Sequence, residues 1–486
     1  MNERIARLHR VLALAFVALI ATCTYWQVWA APSLEARRDN PRLVYRQLAI
    51  DRGRIISTDG VVLARNRSTQ ANGRTLFIRR YPLAGTTAHV IGYSSIQASR
   101  AGIERAANDY LTGSDTDLSG GVERLYDTIR GQTVRGNDVL VSLSAKAQRV
   151  AIRALKASGR RGAVVAIEPS TGRILTMASW PTYDPNVVDT DFASILDQKG
   201  GPLVNRATQG LYPPGSTFKI VTAAAALESG RYQPDSEFPG GTCVKTAGPK
   251  LCNASGETAP DPNTLADALV NSYNTTFAQI GQKLGQGALV EQMQRFGFWS
   301  QLPFDYPRSQ VAISGIYRRP GAIGAPERRV DVSRVAIGQA GLLASPLQMV
   351  LVTGAIANRG LMVAPRVIDR IRSPSGRTVA ATSVDPIGQA VSPETAATLA
   401  GVMQRVVDEG TGQAAQVGDL AVAGKTGTAQ TGRRDAAGRP LNDAWFVAFA
   451  PVGAPKVAIA VVLEDTPSFG GEVAAPIARD VLEALL

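Results

Sequence analysis

The stretch that decides the fold reads Tyr212-Pro213-Pro214-Gly215-Ser216-Thr217-Phe218-Lys219. Ser216 and Lys219 lie three positions apart at the start of an apolar run, so a helix beginning here would carry both on one face. The chain has only nine lysines against 43 arginines, and no other lysine follows a serine by three positions. Where arginine is the usual cation, a retained lysine indicates a position that needs an amine with a tunable pKa.

The lysine is expected to serve as the base for the serine. A hydroxyl is a weak nucleophile, and a neighbouring lysine can activate it when burial or a second cation lowers the lysine pKa towards neutrality. The only histidines, His9 and His89, lie far upstream of Ser216. The sequence therefore argues against a Ser-His-Asp hydrolase and against a zinc site.

A second motif, Ser272-Tyr273-Asn274, follows a predicted helix at 265–270. A hydroxyl and an amide two residues apart can relay a proton and hold the amide group of a substrate. Taken alone, such a pair carries little information.

A third motif, Lys425-Thr426-Gly427-Thr428, follows a predicted strand at 420–423. Its lysine and threonines offer a cation and hydroxyls to a carboxylate, and Gly427 would let a substrate backbone approach the strand edge. The charge of Lys425 would also depress the pKa of Lys219. Each motif alone is usually a helix cap or a turn. The three motifs in this order, however, are together strong evidence of a catalytic site.

The N-terminus predicts export. Residues 11–31 form a mostly apolar run long enough to span a bilayer. By the positive-inside rule the N-terminus stays cytoplasmic and the rest lies outside, because the run is preceded by Arg4, Arg7 and Arg10. Two alternatives stay open: cleavage of a signal peptide after residues 28–30, and a lipoprotein modified at Cys23, which the bulky Thr22 disfavours.

The net charge indicates the class of partner that the chain would bind. The formal charge of +12 favours an anionic partner, and a cell wall or membrane surface fits as well as nucleic acid, for which no motif is found.

Two of the cysteines, Cys243 and Cys252, close a short loop. In an oxidising compartment we expect them to pair, which contributes about 2–3 kcal/mol on the chain-entropy model, whereas the alternative is two unrelated thiols.

Four segments are predicted along the chain: a cytoplasmic tail at 1–10, the anchor at 11–31, a pedestal domain for spacing, dimerisation or docking at 32–150, and a catalytic domain at 151–486. The pedestal alternates short strands with turns such as Asn72-Gly73, and residues 101–111 read as a short helix.

The catalytic domain is expected to be α+β. A hairpin is predicted at 163–167 and 173–178, strands at 420–423, 444–450 and 457–463, and helices at 145–157 and 475–486, with a largely helical stretch at 220–410. Hairpin and late strands would form one antiparallel sheet of about five strands around a helical insertion. A cleft between sheet and helices would hold the site.

The chain resembles the class B penicillin-binding proteins, which are peptidoglycan D,D-transpeptidases, and within them the small actinobacterial PbpA-like type. Besides the three motifs, the likeness rests on Asp51-Arg52-Gly53-Arg54-Ile55, Gly102-Ile103-Glu104, Tyr110-Leu111-Thr112-Gly113, Gly338-Gln339, Ser345-Pro346-Leu347-Gln348 and Ala444-Trp445-Phe446-Val447-Ala448-Phe449-Ala450-Pro451. It implies the penicillin-binding serine transpeptidase fold, with a β-rich N-terminal pedestal and a single membrane helix.

The resemblance also implies roles. Ser216 would attack the penultimate D-Ala of a stem peptide, Lys219 would accept its proton, and Ser272 would pass a proton to the leaving amine. The substrate would be bound by Asn274, Lys425, Thr426, Gly427 and Thr428. The backbone N–H groups of Ser216 and Thr428 would form the oxyanion hole.

The implied partners are peptidoglycan stem peptides, β-lactams as covalent inhibitors, the inner membrane and a polytopic membrane glycosyltransferase of the RodA/FtsW type. No metal or organic cofactor and no nucleic acid is implied. Two other functions stay open: a D,D-carboxypeptidase or β-lactamase of the same fold, and a non-catalytic scaffold in a division or elongation complex.

Overall fold

The computed structural model describes residues 2–29, 47–71, 73–114, 135–319, 321–327 and 329–486. The last two residues of the predicted membrane span, Ala30 and Ala31, lie outside the described residues. So do Asn72 of the predicted turn and the parts of the predicted pedestal at 32–46 and 115–134.

A five-stranded antiparallel sheet, here called the central sheet, organises the C-terminal two thirds of the chain. In spatial order its strands are Ala423–Arg434, Pro440–Ala450, Val457–Thr466, Gly162–Ile167 and Ile174–Trp180. The hairpin and the late strands thus join as predicted, and the α+β prediction is confirmed. The strand Gly162–Ile167 is buried along its whole length, which explains its unbroken apolar run.

Helices cover both faces of the central sheet. Val164 and Ala166 pack towards the helices Ala145–Ala157 and Ala475–Leu485. The alternate residues Ala163 and Val165 pack into the larger helical core on the opposite face. That core is built mainly from the helices Lys219–Glu228, Asn274–Arg295, Pro346–Ala357 and Pro393–Asp408.

Sequence signals at the helix starts explain where several helices begin. The hydroxyl of Ser144 accepts from the backbone N–H of Ala147 at 3.2 Å, which satisfies one free donor of the helix Ala145–Ala157. Ser345 and Ser392 cap their helices in the same way, and each is followed by a proline at the first helical position. The helix Ala145–Ala157 contains the domain boundary predicted at residue 150.

A second sheet, the pedestal sheet, draws on both halves of the chain. Its six strands, in spatial order, are Thr378–Ala381, Ile368–Arg372, Asp138–Val141, Ile55–Ile56, Val62–Ala71 and Arg74–Arg80. The first two come from the stretch 220–410 that was predicted to be largely helical, so that prediction missed them. Ile368–Arg372 pairs antiparallel with Asp138–Val141, and a contact between strands so distant in sequence leaves no local pattern.

Two further local predictions need correction. The helix predicted at 101–111 is two short helices, Gly102–Ala106 and Asn108–Thr112. The strand predicted at 420–423 begins at Ala423 and continues to Arg434, because backbone pairing with Pro440–Ala450 extends it. Among the described residues, the other α-helices are Ala88–Ile91, Phe192–Asp197, Leu265–Val270, Val332–Val335 and Gly470–Val473. The other strands in these ranges are Glu237–Phe238, Cys243–Val244, Leu251–Cys252, Asn263–Thr264, Gly315–Arg319, Ala322–Ile323, Leu342–Leu343, Leu361–Val363 and Pro386–Gln389.

The N-terminal helix runs from Asn2 to Thr24 and ends in a wider helical turn, Tyr25–Trp29. It therefore begins well before the span predicted at 11–31. The segment Glu3–Val28 is long and apolar enough to cross a membrane and is not buried against the rest of the protein.

Candidate active site

Ser216 lies on a tight turn at the start of a helix. The turn is the 3-10 helix Gly215–Phe218, which leads directly into Lys219–Glu228, so the helix predicted at Ser216 begins as a 3-10 turn. Gly215 has a φ of +54°, and its N–H donates to the carbonyl oxygen of Gly338 at 3.1 Å. A Cβ on Gly338 would lie 2.1 Å from the Gly215 oxygen, so Gly338 is needed for this close approach.

Lys219 is completely buried and its amine faces the second motif. Nζ donates to the carbonyl oxygen of Ser272 at 2.6 Å and to Oδ1 of Asn274 at 2.8 Å, and it lies 3.2 Å from Oγ of Ser272. Within the described chain no hydrogen bond joins Nζ to the hydroxyl of Ser216, so the expected contact between them is not formed in this geometry. Nζ thus faces three acceptors, the number that an ammonium group can donate to, and loss of one proton would turn its lone pair towards the Ser272 hydroxyl.

Ser272 is held in an uncommon backbone conformation. Its φ is +63°, in the left-handed region, at the turn between the helices Leu265–Val270 and Asn274–Arg295. The turn closes through a bond from the N–H of Tyr273 to the carbonyl oxygen of Ala268 at 2.9 Å. Such a conformation is costly for a residue with a Cβ and persists where the surroundings enforce it, as they often do at functional sites.

Asn274 connects Lys219 to a neighbouring loop. Its Oδ1 accepts from Lys219, and its Nδ2 donates to the carbonyl oxygen of Cys252 at 3.0 Å. The structure bonds Cys252 to Cys243, with the sulfur atoms 2.09 Å apart. The disulfide loop therefore touches the site directly, which its position in the sequence did not indicate.

The third motif lies inside a strand of the central sheet rather than after it. Lys425 to Thr428 pair in register with Val447 to Ala444 on the adjacent strand. Lys425 is completely buried, and its Nζ donates to the carbonyl oxygen of Thr426 at 3.2 Å. The hydroxyl of Thr426 contacts that of Thr411 at 2.6 Å, and the hydroxyl of Thr428 accepts from the N–H of Gly470 at 3.2 Å.

Gly427 is required by the packing of this strand against the turn that carries Ser216. A Cβ there would lie 2.8 Å from Cγ2 of Thr217 and 3.0 Å from both the carbonyl oxygen of Pro214 and Cβ of Trp445. The indole N–H of Trp445 donates to the carbonyl oxygen of Pro213 at 3.0 Å and reinforces the same contact. The predicted role of Gly427 towards a substrate backbone stays a prediction.

Burial and charge shift the pKa of both lysines. Burial lowers the pKa of Lys219 well below its usual range, the charge of Lys425 lowers it further, and the carboxylate of Glu257 opposes the change. Burial alone lowers the pKa of Lys425 to about 7. The sequence predicted the effect of Lys425 on Lys219, but burial is the larger cause.

The motifs meet around one cavity of about 430 Å³. From the three motifs it is lined by Ser216, Ser272, Asn274, Thr426, Gly427 and Thr428. Lys219 and Lys425 lie behind this lining, completely buried. The sequence motifs did not include the lining residues Glu257, Thr411, Gln413, Phe469 and Glu472, which lie in loops and short helices without a characteristic pattern. A cavity of this size, with a few convergent polar groups, is typical of a small-molecule or peptide site.

The histidines take no part in this cavity. His89 is buried elsewhere, with Nε2 2.7 Å from the carbonyl oxygen of Pro202, and burial lowers its pKa to about 4. His9 lies in the N-terminal helix.

Comparison with known proteins gives concordant matches over both parts of the chain. Residues 162–483 match the penicillin binding protein transpeptidase domain, and residues 52–139 match the penicillin binding protein A dimerisation domain. The chain is 35% identical to the peptidoglycan D,D-transpeptidase PbpA of Mycolicibacterium smegmatis, over 100% of this chain and 99% of that protein. It is 34% identical, with the same coverage, to PbpA of Mycobacterium tuberculosis.

Solved structures agree with the sequence matches. Penicillin-binding protein A from M. tuberculosis, as its ceftriaxone acyl-enzyme complex, superposes with a TM-score of 0.82 at 33% identity, covering 91% of this chain and 100% of that chain. The penicillin G acyl-enzyme complex of the same protein superposes with a TM-score of 0.79, at 33% identity, over 90% of this chain and 99% of that chain.

Proposed function

Because the chain belongs to the transpeptidase family of penicillin-binding proteins, we propose that Ser216 is the nucleophile of its acyl-transfer reaction. The chain is a peptidoglycan D,D-transpeptidase of cell-wall synthesis, a serine enzyme that β-lactams acylate. The assignment of catalytic roles to these residues rests on one observation. A buried lysine with a lowered pKa sits three residues after Ser216, and its amine is held by Ser272 and Asn274 at the same cavity.

In the first half of the reaction Ser216 Oγ attacks the penultimate D-Ala carbonyl of a stem peptide. Lys219 accepts the hydroxyl proton, and its lowered pKa increases the fraction of free amine that can do so at a given pH. The new bond joins Oγ to the carbonyl carbon, and the bond to the terminal D-Ala nitrogen breaks. Lys219 gives up that proton to Ser272, whose Oγ lies 3.2 Å from Nζ, and Ser272 passes a proton to the leaving amine, so that Lys219 is uncharged again in the acyl-enzyme.

The third motif and Asn274 bind the substrate. Lys425 supplies positive charge, and the hydroxyls of Thr426 and Thr428, at the cavity wall, bind the terminal carboxylate of the stem peptide. Asn274 holds the substrate amide, and Gly427 gives its backbone room at the strand. The backbone N–H groups of Ser216 and Thr428 stabilise the oxyanion.

In the second half an amine from another stem peptide takes the acyl group and makes the crosslink. A β-lactam enters the same path but stops at the acyl-enzyme, because its opened ring stays attached to the carbonyl and obstructs the acceptor.

Membrane attachment and a partner complete the proposal. The segment Glu3–Val28 would cross the membrane once, with its arginine-rich end in the cytoplasm and the catalytic domain outside. The pedestal would dock on a polytopic membrane glycosyltransferase of the RodA/FtsW type, which supplies the glycan strands. Protease digestion of intact spheroplasts tests the orientation, since an external catalytic domain would be degraded and a cytoplasmic one protected.

The reaction is tested with purified protein, a donor peptide ending in D-Ala-D-Ala and an amine acceptor. The proposal predicts release of D-Ala and a crosslinked product with the wild type, and neither with Ser216→Ala. Release of D-Ala without any crosslinked product would instead indicate a carboxypeptidase. Release of labelled penicillin within seconds would indicate a β-lactamase.

A further inference from the structure

The charged lining of the catalytic cavity is acidic, although the chain carries a net charge of +12. Among the described residues that line the cavity, only Glu257 and Glu472 are charged. Glu472 is already engaged, because its Oε2 accepts from the backbone N–H of Phe469 at 3.1 Å. The exposed carboxylate of Glu257 makes no hydrogen bond or ion pair within the described parts of the chain.

The loop that carries Glu257 is fixed relative to the catalytic groups. Nδ2 of Asn253 donates to the carbonyl oxygen of Glu257 at 3.1 Å, and Oδ1 of Asn253 accepts from the N–H of Thr275 at 3.0 Å. Thr275 directly follows Asn274, so one side chain ties the backbone of Glu257 to the second motif. The carboxylate also acts electrically on the lysine behind the cavity wall, since it opposes the lowering of the Lys219 pKa.

The chemistry of the second half-reaction needs a cation at this place. The acyl ester on Ser216 can be attacked by water or by the amine of an acceptor peptide, and only the amine gives a crosslink. An aliphatic amine is an ammonium ion near neutral pH. A free carboxylate in the lining of a cavity whose described lining residues include no cation attracts such an ion and disfavours anionic competitors.

We propose that Glu257 binds the ammonium group of the acceptor peptide and so selects an amine over water as the second substrate. This inference rests on the proposed function and names the acceptor side of the same site. In the balanced step the ammonium gives one proton to the neutral Lys219 amine, and the resulting amine forms a C–N bond with the acyl carbon. The bond from that carbon to Ser216 Oγ then breaks, a second proton from the nitrogen returns to Oγ, and Lys219 releases the first proton to solvent.

The experiment measures how the acyl-enzyme divides between amine and water. A D-Ala-D-Ala donor with blocked amines acylates the enzyme in the presence of an acceptor tripeptide whose last residue bears a free side-chain amine. We expect Glu257→Gln to lower the ratio of crosslinked to hydrolysed product about tenfold, the typical effect of losing a hydrogen bond to a charged group. Glu257→Asp should keep part of the ratio, and the matched variant Glu327→Gln, at an exposed glutamate outside the cavity, should keep all of it.

Two further measurements separate acceptor binding from other roles. Penicillin should label Glu257→Gln to the same stoichiometry as the wild type, which shows that the variant folds and that Ser216 reacts. Hydroxylamine, an uncharged nucleophile at neutral pH, should attack both acyl-enzymes at equal rates. An unchanged product ratio in Glu257→Gln, or an equal loss with hydroxylamine, would overturn the inference while leaving the proposed function intact. A wild type that forms no acyl-enzyme would overturn the proposed function itself.

Discussion

The side-chain oxygen of Asn274 accepts a hydrogen bond from Nζ of Lys219 at 2.8 Å. The other end of the same amide is held by the carbonyl oxygen of Cys252, so the amide has one favourable orientation. The second motif thereby positions the base of the first. This explains why a buried lysine is kept within reach of the cavity instead of withdrawing into the core.

The Asn274→Asp variant tests the contact between Asn274 and Lys219 through the pH dependence of the acylation rate. A carboxylate beside Nζ favours the ammonium form, so the pKa of Lys219 rises and less free base is present at a given pH. The rate of penicillin acylation, measured from about pH 5 to about pH 10, should show its rising limb displaced upwards by about one unit or more. An acylation profile that keeps its position would mean that Asn274 does not face the base.

The titration of Lys425 should produce the falling limb in the pH profile of the acylation rate. Its pKa is about 7, so it is charged and able to bind a carboxylate below that pH and loses the charge above it. Acylation by a carboxylate-bearing penicillin should therefore decline above about pH 7. Lys425→Arg keeps its charge and should lose this decline, even if its maximal rate is lower.

Lys425→Met makes a separate prediction about Lys219. The charge of Lys425 helps to lower the pKa of Lys219, so its removal should move the rising limb to higher pH. Acylation profiles of the Arg and Met variants, measured side by side, check both effects. Identical rising limbs in these two variants would contradict the coupling of the lysines.

Gly427→Ala should disturb the nucleophile without touching a charged group. The added Cβ would meet Thr217 at 2.8 Å, and we expect a loss of about 1–3 kcal/mol in stability together with slower acylation. Gly401→Ala is the matched control, since Gly401 lies in the helix Pro393–Asp408 with no atom within 4 Å of its Cβ position. It should raise stability by about 0.5–1 kcal/mol and leave acylation unchanged. Thermal melting and penicillin labelling of both variants provide the measurements.

Reduction of the disulfide should slow acylation. The carbonyl of Cys252 anchors Asn274, so loosening the loop Cys243 to Cys252 weakens the support of Lys219. We expect a reductant to lower the acylation rate of the wild type and to leave a Cys243→Ala/Cys252→Ala variant, already slower, without further change. Equal rates for oxidised wild type, reduced wild type and double variant would show that the loop does not support the site.

The residues that we propose for the chemistry could be predicted from the sequence because lysine and histidine are both rare in this chain. Lysine is rare and histidine nearly absent, so Ser216, Lys219 and Lys425 stand out in the amino-acid sequence alone. The hairpin of the central sheet is equally visible, because Gly162–Ile167 is a buried apolar run followed by a turn sequence.

Other features depend on contacts between distant parts of the chain. The strand Ala423–Arg434 contains glycines and polar residues, and pairing with Pro440–Ala450 rather than local propensity makes it a strand. Ile368–Arg372 joins the pedestal sheet through Asp138–Val141. Glu257 reaches the cavity on an exposed loop, where one glutamate among many carries no signal in the sequence.

Mapping the site of penicillin attachment decides whether Ser216 is the nucleophile. Protein labelled with penicillin, digested and examined by mass spectrometry should carry the added mass on Ser216. Ser216→Ala should carry none while keeping the melting temperature of the wild type. Label on another residue, or persistent labelling of a folded Ser216→Ala variant, would show that Ser216 is not the nucleophile.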